Sequence, residues 1–109
     1  MEQANPHRHN RVEEAIREAA AEFLAREANR NTLVTVTRAV LSEDNKRATI
    51  FITVLPERGE QGALDFANRN RTELRAFYKK RVKGMLPPDI MYEIDFGEKN
   101  RQRLDELSK

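Results

Sequence analysis

The sequence predicts an α+β fold, a three-stranded sheet with helices packed on one face, and three observations carry that expectation. Near the N-terminus, Val12, Ile16, Ala19, Ala20, Phe23 and Leu24 recur at spacings of three and four, the period of a helix with one apolar stripe. Two neighbouring stretches, 32–42 and 47–55, alternate apolar with polar residues, the period of half-buried strands. A second helical stretch, 63–83, is followed by a third alternating run, 89–96. A chain of 109 residues can close one modest core and not two, so a single domain over 1–109 is expected.

Each element has a local reason. Asn10 is placed to cap the first helix, with Glu13 at the third position of a capping box, behind a polar tail at 1–9. The helix should run to about Ala28, where Asn29-Arg30-Asn31 ends it. In the first strand Val34, Val36 and Val40 are expected on the inner face, with Thr35 and Thr37 on the other. Residues 42–46 turn the chain, because Ser, Asp and Asn side chains bond their own backbone there. Ala48, Ile50, Ile52 and Val54 then point inward, and Thr49, Phe51 and Thr53 outward, which completes an antiparallel hairpin.

Residues 56–62, rich in Gly and polar groups, read as a loop. In the long helical stretch Ala63, Phe66, Ala67, Leu74, Phe77 and Tyr78 share one side, but Asn70 interrupts that stripe. A buried unpaired amide is costly, so a kink is expected between Asn68 and Thr72, with Asn70 or Thr72 capping a second helix. A straight helix whose Asn70 finds a partner is the alternative. Gly84 suits a left-handed helix end, and Pro87-Pro88 an extended lead-in. Ile90, Tyr92, Ile94 and Phe96 then share a strand face, Gly97 stops the strand, and 98–109, with Leu104 and Leu107 three apart, should be a frayed turn of helix or a mobile tail. The order α-β-β-α-(kink)-α-β is that of a type II KH domain, an RNA-binding topology.

Charge is concentrated in one segment. Residues 69–83 hold seven basic side chains against Glu73 alone, a local charge of +6 in a chain whose net charge is +2. Arg71, Arg75, Lys79 and Lys83 step along the face away from the apolar stripe, and Arg69 and Lys80 widen that arc. A solvated helix face is the bland reading. The near absence of interspersed acids favours a phosphate-binding surface.

Other classes fall away. The chain has no cysteine, which excludes a disulfide scaffold and any Cys-based metal or redox site. No apolar run reaches membrane length and no signal-peptide core is present, so a cytoplasmic protein is expected. His7 and His9 lie together in the polar tail without a carboxylate beside them, a poor metal site. Ser42 and Ser108 lack a base, and Glu13-Glu14 and Asp105-Glu106 read as helix-end charges. No phosphate loop occurs. The expectation is a protein that is not an enzyme, with neither cofactor nor metal.

Several short segments, in order and at matching spacing, carry a resemblance. They are Arg8-His9-Asn10-Arg11-Val12, Thr35-Val36 with Val40, Ser42-Glu43-Asp44, Ala48 to Ile52, Leu74-Arg75, and Pro88 to Asp95. In these the chain resembles the bacterial ribosome-binding factor A family along nearly its whole length. Where that family kinks its long helix with Ala-x-Gly or Ala-Ala-Gly, this chain has Asn70-Arg71-Thr72. The Gly-x-x-Gly loop of ordinary KH domains is also missing, so clamping of four nucleotides by that loop is not expected. The resemblance implies a monomeric, non-catalytic assembly factor that binds the small ribosomal subunit and its ribosomal RNA late in maturation and matters most in the cold. It adds Arg8 and Arg11 to an RNA-binding set of Arg69, Arg71, Arg75, Lys79, Lys80 and Lys83. Phe51 is available to stack a base or to be covered by the C-terminal tail. The competing reading is a protein-interaction module whose basic helix docks an acidic partner without RNA.

Overall fold

The computed structural model describes residues 6–27, 32–82 and 86–107, with side chains from His9 onward, Glu27 excepted. Its elements are α1 (Pro6–Glu27), β1 (Leu33–Leu41), β2 (Arg47–Leu55), a 3-10 turn (Glu57–Gly59), α2 (Glu60–Arg69), α3 (Arg71–Arg81), β3 (Asp89–Ile94) and α4 (Phe96–Leu107). The sheet order is β1-β2-β3, with β1 antiparallel and β3 parallel to β2. A parallel partner requires the chain to cross over, and α2 and α3 form that crossover. Helices α1 to α3 bury Ile16, Ala19, Phe23, Leu24, Ala67, Leu74 and Tyr78 against Val36, Ile50, Ile52 and Tyr92 of the sheet. The α+β architecture with helices on one face is therefore as expected.

Four details differ from the sequence-based expectation, each for a physical reason. Helix α1 already includes Pro6, so 6–9 are helical rather than tail; proline suits a first turn, whose N–H groups have no intrahelical partner. Glu13 does not cap α1. Its carboxylate accepts the Leu41 N–H at 2.8 Å, while His9 Nε2 donates to the Leu41 carbonyl at 2.9 Å. These two side chains, one turn apart, close the outer edge of β1 and fix α1 to that end of the sheet.

The second difference is a bulge. Val36 pairs with Ile52 but Arg38 with Phe51, so Thr37 is an extra residue in β1. One extra residue inverts the pleat beyond it. Ala39 and Leu41 are therefore buried, and Val40, expected inside, is 42% exposed. The third is the loop expected at 56–62, which is ordered as the 3-10 turn and the first turn of α2.

The fourth lies after β3. The strand stops at Ile94, and Phe96, expected on its inner face, opens α4 and is 64% exposed. Asp95 caps this helix: its Oδ1 accepts the Glu98 N–H at 3.0 Å. In place of the frayed turn or mobile tail expected there stands a twelve-residue helix. Lys99 ties it to Glu57 at 3.0 Å and Glu60 at 2.8 Å.

The expected break in the long helix is present. Asn70 leaves helical geometry, with φ −102° and ψ 21°, between α2 and α3. Its side-chain amide donates to the Phe66 carbonyl at 2.8 Å, closing α2 instead of capping α3. The amide on the apolar stripe is thereby satisfied. Gly84, expected to end the helix, lies outside the described residues.

Candidate nucleic-acid interface

Helix α3 buries Leu74 and Tyr78 and turns Arg71, Lys79 and Lys80 to solvent, as 3.6-residue periodicity requires. These three, with Arg69 at the end of α2, make no hydrogen bond or ion pair among the described residues. Unpaired cations gathered on one exposed surface repel one another, and a polyanion relieves that repulsion. Two members of the basic segment are committed elsewhere. Arg81 pairs with Glu22 of α1. Arg75 is half-buried and donates to the carbonyls of Pro88 at 3.1 Å and Pro87 at 3.3 Å. It therefore holds the lead-in to β3 against α3, with Asp89 Oδ1 4.0 Å away. Lys83 lies outside the described residues, as does the side chain of Arg8.

The α2–α3 junction lies beside the free edge of β3, where Asn68 Oδ1 accepts the Tyr92 N–H at 3.1 Å. Around that edge opens a cleft of about 720 Å³ between the start of α3 and the face of the sheet opposite the core. Arg71 and Arg75 border it on one side and Arg47 on another. Arg11 is exposed on α1, in the part of that helix that His9 and Glu13 fix to Leu41. Strand register puts Leu41, Ala48 and Ile90 in one row there. The cleft thus gathers Arg47, Arg71 and Arg75, while Lys79 and Lys80 continue along α3.

A family model of ribosome-binding factor A matches residues 8–108. The chain belongs to the ribosome-binding factor A family. A Nitrobacter winogradskyi ribosome-binding factor A is 34% identical over 106 residues, covering 93% of this chain and 77% of that protein. A Methylobacterium nodulans relative is 32% identical over 97% of this chain and 83% of its own length. Among solved structures, Thermotoga maritima TM0855, a putative ribosome-binding factor A, shares 25% identity with a TM-score of 0.67 over 83% of this chain and 90% of its own. The Thermus thermophilus factor matches in fold, with a TM-score of 0.70 at 24% identity over 79% of this chain and 94% of its own. A homology model of that Thermus protein, fitted into a cryo-EM map of its 30S complex, aligns with a TM-score of 0.68 at 24% identity over 78% of this chain and 92% of its own.

Within this family fold, the rear of the sheet holds residues that pattern reading missed. The Arg38 guanidinium lies 4.1 Å from the Phe51 ring centroid and 3.4 Å from Asp95. Phe51 is therefore covered by an arginine, and that ring face is closed to a stacking base. Asp95 is 7% exposed and receives the Thr37 hydroxyl at 2.6 Å. Burial alone would raise its pKa, but the Thr37 hydroxyl, the Glu98 N–H and the Arg38 guanidinium together hold it below the ordinary carboxylate value. The only signal for Arg38 was its position after a bulge that the alternation itself concealed. Arg47 was legible as the first outward residue of β2, two before Thr49, but nothing marked it as facing a helix across a cleft. No helix among the described residues is long and apolar enough to cross a membrane.

Proposed function

We propose that this protein is a non-catalytic assembly factor that binds ribosomal RNA of the small subunit late in maturation. It acts in the cytoplasm as a single KH-like domain over 1–109, as a monomer, and is needed most in the cold. Its RNA-binding set is Arg8, Arg11, Arg69, Arg71, Arg75, Lys79, Lys80 and Lys83. The observation that carries the reading is the set of exposed, unpaired cations Arg69, Arg71, Lys79 and Lys80 on a member of the ribosome-binding factor A family. The 30S complex of the Thermus thermophilus factor supports the small subunit as partner. Arg75 contributes from its anchored position, where a guanidinium already fixed by two carbonyls loses little freedom on meeting a phosphate.

Sedimentation of a cell lysate tests this. The protein should migrate with free small subunits and be absent from translating ribosomes. Nuclease treatment of the purified complex should expose the site to competition by RNA. Retention on an acidic protein after full RNA digestion would instead favour the protein-docking reading.

A further inference from the structure

The cleft beside α3 is floored by the side of the sheet opposite the core helices α1 to α3. Val40 of β1 pairs with Thr49 of β2, and Thr49 with Met91 of β3, so these three side chains form one row across the sheet. The Thr37 bulge is what brings Val40 onto this face. Val40 is 42% and Met91 52% exposed, and both line the cleft. The row spans two strand spacings, about 10 Å, an apolar shelf wide enough for a flat ring system. Its rim is cationic: the guanidiniums of Arg47 and Arg71 make no hydrogen bond or ion pair among the described residues, and Arg75 is held in place. Among the described residues that line the cleft Asp89 is the one acid, exposed and beside Arg75.

An apolar shelf edged by guanidiniums fits a group with a flat face and an attached phosphate. We infer that the cleft receives one unstacked nucleotide of single-stranded RNA, with its base on the Val40–Thr49–Met91 row and its phosphate against Arg47 and Arg71. The inference rests on the RNA-binding reading above and adds a site that discriminates strandedness. A base still stacked in a duplex cannot reach a recessed floor, so paired RNA meets only the exposed cations of α3. Reversing Arg71, which belongs to α3, would then weaken binding of both RNAs, whereas reversing Arg47 or placing charge on the floor would act on the preference for single strands.

Amide chemical shifts of the labelled full chain, titrated with a non-self-complementary RNA hexamer and with a short RNA hairpin duplex, test this directly. The hexamer should shift the amides of Val40, Thr49 and Met91 together with those of α3, and the duplex those of α3 alone. Met91→Glu should weaken hexamer binding about tenfold while leaving duplex binding unchanged, a loss in the range expected for one packed base. Arg47→Glu, at an exposed position, is a second variant expected to do the same, and Asp89→Asn should tighten the hexamer. Hexamer shifts confined to α3 would overturn the cleft and leave the RNA reading standing. Equal cleft shifts with the duplex would overturn the preference for an unstacked base. An acidic peptide that displaces the hexamer from the cleft at lower concentration would overturn RNA as its occupant. Silence toward both RNAs at every amide would remove the RNA reading itself.

Discussion

Asp95→Ala should cost this protein about 2 kcal/mol, because one carboxylate serves two elements. It is the N-cap of α4, a role whose loss costs about 1 kcal/mol. It also accepts the Thr37 hydroxyl at 2.6 Å, a bond to a charged acceptor worth roughly 1.5–3 kcal/mol. The two do not simply add. Thr37 has a second acceptor in the Phe51 carbonyl at 3.2 Å, and Arg38 is exposed enough to remain hydrated, so neither is stranded. At this size about 2 kcal/mol lowers the Tm by roughly 8 °C or more. Thermal unfolding of Asp95→Ala beside Asp105→Ala, an exposed residue of the same helix, reads the effect. The control should stay within about 0.5 kcal/mol of the parent.

The same group gives a pH signature with a definite sign. Asp95 has a folded-state pKa below its ordinary value, so folding favours its ionised form. Its contribution is complete above the unfolded value, about 3.9, and is lost as pH falls through the lower folded value. The parent should therefore lose stability faster than Asp95→Asn as pH drops across that window. Asp95→Ala unfolding with the parent, or Asp95→Asn keeping the parent's full acid dependence, would refute the reasoning.

Other consequences are direct. Ile52→Ala, at a fully buried position, should cost about 2–5 kcal/mol, read by denaturant unfolding. Amides at 70–72 should exchange with solvent faster than those near Phe77, because the helix is interrupted at Asn70; uniform protection would contradict the break. Reversing Lys79 and Lys80 to Glu should weaken small-subunit binding and flatten its log–log salt dependence by about 1.5, two phosphate contacts' worth. Folding should stay within about 0.5 kcal/mol of the parent. Reversing Arg58 and Arg103, by the 3-10 turn and α4, should leave binding unchanged.

What the sequence disclosed follows the range of the forces involved. Element order, the inward set of β2 and the break at Asn70 are local matters of period and hydrogen-bond supply, and all were legible. The start of α1 was hidden because Glu13, a sound capping residue by spacing, is used 28 positions away on Leu41. Helix α4 was hidden because the alternation through Phe96 outvoted the Asp95-Phe96-Gly97-Glu98 cap that ends it. Arg75 illustrates the limit for the candidate interface. Its spacing put it on the arc away from the apolar stripe, yet it is half-buried, because its carbonyl partners at 87 and 88 depend on how the chain returns to β3.

The bulge joins these pieces of fold and surface. Had the pleat of β1 continued unbroken past Val36, Arg38 and Val40 would point into the core and Ala39 and Leu41 outward. A guanidinium buried there would lack a carboxylate, and such burial costs several kcal/mol. Thr37 removes that conflict by adding one residue, and its hydroxyl fixes the bulge to Asp95. Three things follow from the one shift. Leu41 enters the core, where its backbone meets α1 through His9 and Glu13. Arg38 crosses to the rear and lies on Phe51, closing that ring. Val40 comes to the rear beside Thr49 and Met91, completing the apolar row under the arginines of the cleft. The residue that secures packing on the helical side is thus the one that shapes the open face.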